Sequence, residues 1–267
     1  MQPSKLIILS ASSDIGEFLT KHYLSQSIEV IGTFKTESER TKSLEDRGAI
    51  LFPVDISIPE QVNNFIAKLK KINFDWDTLI SAPGLLEPIG PFFELEYEKW
   101  EQSVLVNSVS QLRVLHGLYP QRNKKKQSKV LFFAGGGTNG TFDNYSAYCL
   151  GKLALVKMTE LLDSEYVDLK TSIIGTGWVN TKIHQQTLNA GVMAGVNFQR
   201  TKHFMEIASA DSATLSDVLE CINWCLGSPK EAVGGRNFSL VHDDWRNPDF
   251  IKKLIENPQS HKLRRFS

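Results

Sequence analysis

The stretch KLIILSASSDIG, residues 5–16, decides the fold. Residues 5–9 are apolar almost throughout, as in a strand covered on both faces, and Gly16 leads into a segment with helical spacing of apolar residues. A tight turn of this kind brings unpaired backbone amides and the positive end of a helix dipole toward a phosphate group. The turn alone is a weak signal, because the usual fingerprint has three glycines and here Ser10 and Asp14 stand where two of them are expected. Asp14 has a simpler interpretation as the N-cap of the helix.

Strands and helices alternate along the chain. Apolar runs predict strands at residues 5–9, 28–34, 49–54, 77–82, 129–134, 169–175 and 236–241. Apolar residues at three- and four-residue intervals predict helices at 14–26, 36–47, 59–73, 97–120, 145–167 and 211–227. This order predicts an α/β protein in which residues 1–267 form a single Rossmann-type domain, a doubly wound parallel sheet of about seven strands with helices on both faces. Ligands of such sheets bind beyond the carboxyl ends of the strands.

Composition and charge argue against several classes of protein. With 267 residues, 41% of them hydrophobic, the chain is long enough to bury one large core. Its 30 basic and 30 acidic residues give no net positive field, so neither nucleic acid nor a membrane is an expected partner. The first apolar run is too short for a signal peptide or a membrane span, which favours a cytoplasmic location. The three cysteines cannot form a disulfide framework, and Cys221 and Cys225 have no nearby histidine pair, so buried thiols are expected rather than a metal site.

Residues 177–210 form a long, glycine-containing connection in which no strand is predicted. Connections of this length in compact domains are typically lids or binding segments. We therefore predict that residues 177–210 cover the substrate.

Polar and small residues follow three of the predicted strands, where a nucleotide would lie. Lys35 follows the second strand, where NAD-binding proteins place an acid for the ribose hydroxyl and NADP-binding proteins place a base for the 2′-phosphate, so NADP is favoured. The alternative for Lys35 is a solvated surface charge. Asp55, after the third strand, suits either an adenine edge or a turn before the helix at Pro59. Residues 81–84, SAPG, are small enough for the backbone to approach a nucleotide.

A tyrosine and a lysine lie four residues apart in YSAYCLGK, residues 145–152. This spacing places Tyr148 and Lys152 on one helix face. A tyrosine with the ordinary pKa of about 10 is a poor acid–base catalyst at neutral pH, but an ammonium group one turn away, together with a cationic nicotinamide ring, favours the phenolate. Asn107 lies among apolar residues of the predicted helix 97–120, where its amide needs partners; an interhelical hydrogen bond or a kink explains it without any chemistry.

Together these segments resemble the short-chain dehydrogenase/reductase family, and the resemblance extends over nearly the whole chain. SASSDIG is similar to the family's cofactor turn, PVDIS to its adenine-contact segment and SAPG to the segment that is usually rich in asparagine. VNSVS resembles the site of its helix asparagine, YCLGK its Tyr-x-x-x-Lys motif, and IGTGWVNT, residues 174–181, its nicotinamide-contact turn.

The resemblance implies a role for each matched residue. Tyr148 would give or take the substrate proton, Lys152 would bind the nicotinamide ribose and lower the pKa of the tyrosine, and Asn107 would anchor a water molecule of a proton relay. The implied cofactor is NADP, with NAD as the alternative. Besides Tyr148 and Lys152, the residues implied to bind it are Ser10, Ser12, Ser13, Asp14, Ile15, Gly16, Lys35, Asp55, Ile56, Ala82, Gly84, Gly177 and Val179.

One catalytic member of the family is missing. The family's serine would stand thirteen residues before Tyr148, where this chain has Gly135 in a Gly-Gly-Gly run. Removing one polarising donor costs about 10²–10³ in rate when nothing replaces it. Thr138, Asn139 or backbone amides are candidate replacements; equally, the glycines make room for a bulky substrate or a close helix. Gly135 and Thr138 are therefore the candidate substrate contacts.

The glycine run, together with GRNFSLVHDDW at 235–245, resembles a branch of the family often found in polysaccharide and surface-sugar biosynthesis, which implies a sugar or nucleotide-sugar substrate. His242, Asp243 and Asp244 then line a polar sugar site, or they belong to a solvated loop.

These features favour an NADP-preferring oxidoreductase that interconverts a secondary alcohol and a ketone. Two alternatives remain open. One is a sugar dehydratase or epimerase that keeps its nicotinamide tightly bound, and the other is a non-catalytic family member that binds a dinucleotide. The resemblance also implies a homodimer or homotetramer that pairs through helices 97–120 and 145–167.

Overall fold

Parallel strands form one twisted sheet in the computed structural model, which describes residues 3–207 and 213–265. The strand order is β3-β2-β1-β4-β5-β6-β7. Successive strands after β1 are added toward one edge of the sheet and those after β4 toward the other, so the order of addition reverses between β1 and β4. The predicted doubly wound parallel sheet is therefore confirmed. The strands are β1 (Lys5–Leu9), β2 (Glu29–Phe34), β3 (Ile50–Pro53), β4 (Thr78–Ser81), β5 (Ser128–Phe133), β6 (Leu169–Gly175) and β7 (Arg236–Ser239).

Helices cover both faces of this sheet and bury its side chains on each side. In β1, Leu6 and Ile8 belong to one hydrophobic core, whereas Ile7 and Leu9 belong to the core on the opposite face. Alternate side chains of a strand point to opposite faces, which is why a strand covered twice is apolar at every position. The helices are α1 (Asp14–Ser25), α2 (Glu39–Asp46), α3 (Pro59–Lys71), α4 (Tyr97–Asn107), α5 (Val109–Leu118), α6 (Ser146–Glu165), α7 (Ile183–Ala190), α8 (Val196–Ile207), α9 (Leu215–Gly227), α10 (Lys230–Val233) and α11 (Asp249–Glu256).

The predicted helix 97–120 is two helices, α4 and α5, separated at Ser108. The backbone of Ser108 leaves the helical region, with φ −141° and ψ −82°. Side chains satisfy the carbonyl oxygens that the helix would otherwise use, since the Ser108 hydroxyl donates to the Val104 carbonyl at 2.6 Å and the Asn107 amide donates to the Ser103 carbonyl at 3.0 Å. Such local bonds compete with the helical ladder and permit the break.

The segment predicted as a long connection, residues 177–210, contains α7 and α8. Both helices are rich in polar residues, and this composition hid their helical spacing. Gly191 and Gly195, at φ 55° and 56°, follow α7 and the short 3₁₀ turn at 191–194. The helix predicted at 211–227 begins at Leu215 with Thr214 as its N-cap, and residues 211 and 212 lie outside the described part of the chain.

The cysteines of α9 are buried, as predicted. Cys221 and Cys225 are free thiols in the core between α9 and the sheet. Among the described residues, no group of histidine, cysteine and carboxylate side chains is arranged to hold a metal ion. No helix in the described ranges is long and apolar enough to cross a membrane.

Candidate active site

A cavity of about 1010 Å³ opens at the carboxyl ends of the strands. Its wall combines the turn after β1, the segment after β4, the glycine run after β5, the start of α6, and the helices α7 and α8. Most of the residues predicted from sequence line this one cavity. They are Ser10, Ser12, Ser13, Asp14, Ile15, Ala82, Gly84, Gly135, Thr138, Tyr148, Lys152, Gly177 and Val179.

The turn between β1 and α1 is tight and depends on Gly16. A Cβ atom at this position would lie 2.1 Å from the Ser10 carbonyl oxygen, so only glycine fits. Ser10 takes φ 60°, a conformation that favours glycine, and its amide donates to the Thr33 hydroxyl at 3.1 Å. Ser13 is the N-cap of α1 and accepts from the Gly16 amide at 3.0 Å, so the N-cap interpretation of Asp14 was wrong by one residue.

Asp14 instead joins three parts of the cavity wall. One carboxylate oxygen lies 2.6 Å from the Arg40 guanidinium of α2, and the other accepts from the backbone amide of Lys182 at 2.6 Å. The guanidinium also lies 3.2 Å from Glu17. Asp14 therefore ties the turn after β1 to the beginning of α7, and Arg40 balances its negative charge.

Tyr148 and Lys152 lie on the same face of α6, and both line the cavity. The Lys152 ammonium is 5.8 Å from the centre of the Tyr148 ring and donates to the Pro83 carbonyl at 3.1 Å. Burial lowers the pKa of Lys152 to about 7. Burial also raises the pKa of the Tyr148 phenol above its ordinary value, with a further contribution from Cys149. The lowered tyrosine pKa that the sequence led us to expect is thus absent from the protein alone, and Tyr148 is a protonated phenol at neutral pH.

We expect Lys152→Met to stabilise the protein near pH 6, even though it removes a site residue. Lys152 is 2% exposed, and the folded chain must either bury its charge or give up a proton. The pKa falls from an ordinary 10.5 to about 7, so between these pH values the unfolded chain binds the extra proton and stability rises with pH. The penalty is fully present below pH 7. Replacing a buried charge by an apolar side chain of similar size gains about 1–4 kcal/mol.

Urea unfolding of the protein without nucleotide, at pH 6 and again near pH 10, measures this effect. The advantage of Lys152→Met should be largest at pH 6 and shrink at the higher pH. Lys157→Met on the same helix is the matched control, because Lys157 is half-exposed and pairs with Glu160. Equal stability of Lys152→Met and wild type at both pH values would contradict a buried, destabilising ammonium.

The glycine run leaves space that the Tyr148 ring fills. A Cβ atom at Gly135 would lie 2.4–2.5 Å from Cε1, Cζ and the hydroxyl oxygen of Tyr148. The ring therefore occupies the volume that any side chain at position 135 would take. Thr138, a candidate replacement for the missing serine, donates its hydroxyl to the Gly135 carbonyl at 3.0 Å and lines the cavity.

Asn107 does not line the cavity; it shapes the segment that does. Its side chain is fully buried, and its amide group bonds the backbone of Leu85 twice, accepting from the nitrogen at 3.1 Å and donating to the oxygen at 2.7 Å. Gln111 donates to the Pro83 carbonyl at 3.3 Å. These contacts join α4 and α5 to a loop rather than to another helix, unlike the interhelical bond foreseen for Asn107, and they hold the segment after β4 against α4 and α5.

Four further predicted cofactor residues lie outside the cavity wall. Gly16 is packed beneath the turn, and Ile56 belongs to the core beside α3. Lys35 and Asp55 form an ion pair at 2.8 Å, in which the lysine side chain is 73% exposed. Asp55 also accepts from the amide and the hydroxyl of Ser57, at 3.0 and 2.7 Å, so the turn foreseen before α3 is present. Burial acts to raise the pKa of Asp55, but the ion pair with Lys35 and the hydrogen bonds from Ser57 together hold that pKa below its ordinary value.

Residues of α7 and α8 complete the cavity, and sequence reasoning missed them. Three bonds attach these helices to the rest of the wall. Gln186 accepts from the Leu86 amide at 2.8 Å, Thr187 is 2.8 Å from the Tyr145 hydroxyl, and Asn197 donates to the Asp143 carbonyl at 3.3 Å. The one available signal was Gly191, which follows α7, because glycine commonly ends a helix.

Of the polar tail residues, His242 and Asp243 line the cavity. Asp243 accepts from the Ser239 amide at 2.7 Å and lies 3.3 Å from the His261 imidazole. Asp244 accepts from Asn247 at 2.8 Å in an exposed loop.

Comparison with known proteins identifies this arrangement. Residues 4–191 match the family described as short chain dehydrogenase. The chain belongs to the short chain dehydrogenase family. A short chain dehydrogenase/reductase from Saccharomyces cerevisiae superposes with a TM-score of 0.80 at 20% identity, covering 92% of this chain and 98% of that one. The same yeast protein, described as an uncharacterized oxidoreductase, is 24% identical over 180 residues, which are 66% of this chain and 70% of its own. The chain is accordingly an enzyme of the short-chain dehydrogenase/reductase kind.

Two similar solved structures are complexes with nicotinamide cofactors. One from Shigella flexneri is complexed with NADP; it superposes with a TM-score of 0.72 at 19% identity and covers 88% of this chain and 96% of its own. A 4-hydroxyisoleucine dehydrogenase is complexed with NADH, with a TM-score of 0.70, 19% identity and the same two coverages.

The residues of this short chain dehydrogenase fit such a dinucleotide. The N-terminus of α1 faces the cavity through Ser13, Asp14 and Ile15, and helix N-termini favour phosphate groups. Gly84 leaves the backbone after β4 open, since an added Cβ would meet only the Ile183 side chain, at 3.3 Å. Asp14 stands at this turn where a glycine is usual. Its carboxylate would repel a phosphate, and the ion pair with Arg40 offsets that repulsion.

Proposed function

We propose that this short chain dehydrogenase is an NADP-preferring oxidoreductase that interconverts a secondary alcohol and a ketone on a sugar-type substrate, with Tyr148 as general acid and base. One observation carries the proposal. The Tyr148 phenol and the Lys152 ammonium line the same cavity as the N-terminus of α1, where a dinucleotide phosphate fits. The nicotinamide, when bound, supplies or accepts the hydride.

Tyr148 would move the proton that accompanies the hydride. Because burial keeps the phenol protonated at neutral pH, it is ready to donate to a carbonyl oxygen during reduction. In the oxidative direction, an alcohol would pass its proton to the tyrosine while the positive charges of Lys152 and the oxidised nicotinamide favour the phenolate. Lys152 would also position the ribose, since its ammonium already lies beside the Pro83 carbonyl on the cavity wall.

The preference for NADP rests on charges near the end of β2. Lys35, rather than an acid, directly follows Phe34, and Arg40 lines the cavity from α2. Both cations are ion-paired with carboxylates, Lys35 with Asp55 and Arg40 with Asp14, so they are held in place near the expected ribose. NAD remains the alternative cofactor, because these pairs reduce the positive charge offered to a 2′-phosphate.

The double variant Lys35→Gln/Arg40→Gln is expected to weaken NADPH binding about tenfold or more beyond its loss for NADH, because both cofactors carry the phosphate beside Asp14 whose repulsion Arg40 offsets. The reason for the additional loss is that each bond from a cation to a phosphate contributes roughly 1.5–3 kcal/mol. Titration of both cofactors measures it, with Lys42→Gln on the exposed face of α2 as the control. If the two cofactors lose affinity equally, the preference for NADP through these cations is wrong.

The proposed substrate class rests on the polar side chains of the cavity. Sugars need several hydrogen-bond partners, and Thr138, Asn139 and Gln186 supply hydroxyl and amide groups along the wall. Aromatic side chains provide apolar surface on the same wall, and Trp178 stacks on His184 with a ring separation of 5.2 Å.

A spectrophotometric assay tests the proposed function. Purified enzyme, NADPH and a panel of ketoses and keto nucleotide sugars should give net loss of absorbance at the reduced-nicotinamide band. Conversion of a sugar without net consumption of NADPH would instead favour a dehydratase or epimerase. Silence over the whole panel, with NADPH still bound, would favour a non-catalytic dinucleotide-binding protein.

We also propose a homodimer or homotetramer that pairs along α4–α5 and α6. Apolar side chains on these helices remain partly exposed, among them Leu105, Val109, Leu150 and Leu161. Their association would remove this apolar surface from water. The molar mass of the protein in solution, by light scattering, measures the oligomeric state.

A further inference from the structure

We propose that Arg200 binds an anionic group of the substrate, a carboxylate or a phosphate, at the end of the cavity covered by α7 and α8. The inference deepens the proposed function and rests on it, because it names the chemical class of the substrate that the same cavity takes.

One face of α8 looks onto the cavity. Asn197, Arg200 and Thr201 all line it, at the three- and four-residue spacing that puts side chains on one side of a helix. Asn197 and Thr201 are 3% and 2% exposed, which fixes the rotation of α8 about its axis. Arg200 is therefore directed to the cavity side of the helix by two buried neighbours.

The helix is also fastened in place. The Asn197 amide donates to the Asp143 carbonyl at 3.3 Å, and α7 is attached through the Tyr145 hydroxyl to Thr187 and through Gln186 to the backbone of Leu86. These bonds join α7 and α8 to the segments before α6 and after β4, which also line the cavity. Arg200 thus belongs to the same wall as Tyr148.

Arg200 has no anionic partner among the described residues. It forms no ion pair or hydrogen bond with any residue of 3–207 or 213–265. The carboxylates of the described wall are already engaged, Asp14 with Arg40 at 2.6 Å and Asp243 with His261 at 3.3 Å. Arg200 is exposed, and a guanidinium without a described partner, in a cavity whose described acids are occupied, attracts anions and offers a planar fork of donors to a carboxylate or phosphate.

Arg200 and the proposed phosphate site lie on different elements of the cavity wall. Arg40 and the N-terminus of α1 line the cavity where a dinucleotide phosphate fits. Arg200 belongs to α8, which packs against α7. The anion it binds would therefore belong to the substrate: the acid group of a sugar acid, or the phosphate of a sugar phosphate or nucleotide sugar.

Isothermal titration with NADP⁺ present tests the proposal without relying on turnover. The probes are D-glucuronate, D-glucose 6-phosphate and D-glucose, which compare a carboxylate and a phosphate with a neutral sugar. We expect wild type to bind at least one of the anions more tightly than glucose. Arg200→Met should weaken that binding about tenfold to a hundredfold. The affinity of the variant for the anion should also depend less on salt concentration than that of wild type.

Lys202→Met is the matched control. Lys202 lies on the same helix, is exposed and pairs with Glu206, so its removal should leave anion binding unchanged. Three results would overturn the proposal: wild type binds neither anion, glucose binds as tightly as both anions, or Arg200→Met binds the anion like wild type. Anion binding that depends on Arg200 in a protein without NADPH-dependent turnover would refute the proposed oxidoreduction and leave the anion site standing.

Discussion

Tyr148→Phe is expected to reduce kcat by about 10²–10⁴ while the affinity for NADPH stays close to that of wild type. The phenol is the proposed proton donor, and phenylalanine keeps the ring while removing only the hydroxyl. Since the ring itself packs against Gly135 and within the cluster of Leu86, Tyr145 and Ala194, the variant should fold normally.

Tyr145→Phe is the matched control for this experiment. Tyr145 lies three residues earlier, and its hydroxyl bonds Thr187 at 2.8 Å, so its loss loosens α7 without removing the proposed acid. We expect its effect on kcat to stay within about tenfold, the cost of one neutral hydrogen bond. Unchanged turnover in Tyr148→Phe, or equal losses in the two variants, would show that Tyr148 is not the proton donor.

Gly135→Ser, which places the family's usual serine in this chain, is expected to impair the enzyme. The serine Cβ would lie about 2.5 Å from the Tyr148 hydroxyl, a separation that real Cβ atoms essentially never show. The ring must move, and displacement of a catalytic group by about 1 Å can cost 10²-fold in rate. We therefore expect kcat to fall by about 10² or more.

Two comparisons make the result specific. Gly135→Ala separates added volume from the added hydroxyl, and we expect it to behave like Gly135→Ser because the clash involves the Cβ atom. Gly140→Ser, in the same connection, has no heavy atom within 4 Å of the new Cβ and should remain active. If Gly135→Ser matches or exceeds wild-type turnover, then Tyr148 works from a different position and the serine has restored a missing donor.

The strands and the Tyr148–Lys152 pair were predictable because their signals are local. A strand buried on both faces is apolar at consecutive positions, and a four-residue spacing fixes two side chains on one helix face whatever surrounds them. The boundaries of most strands differ from the predictions by one or two residues, as at β4, which is Thr78–Ser81 rather than 77–82.

What the sequence did not reveal depends on contacts between distant residues. The hydrogen bond from the Lys182 amide to the Asp14 carboxylate joins residues 168 positions apart in the sequence, and neither residue type predicts it. The contact between Gly135 and the Tyr148 ring appears only once β5 and α6 are placed together. The burial that raises the pKa of Tyr148 in the protein without cofactor is likewise invisible in the sequence, which displays only the neighbouring lysine.

The segment after β4 also bears on how sequences of this family diverge. Side chains of the surrounding helices hydrogen-bond to the peptide groups of this segment. Lys152 and Gln111 bind the Pro83 carbonyl, Asn107 binds Leu85, and Gln186 binds the Leu86 amide. Every residue type carries those backbone atoms, with proline lacking only the amide. A change of side chain within the segment leaves these hydrogen bonds possible, so Ser81 and Ala82, at the end of β4 and just after it, can stand where the family usually has asparagine. The path depends instead on the side chains that hold those peptide groups, at 107, 111, 152 and 186.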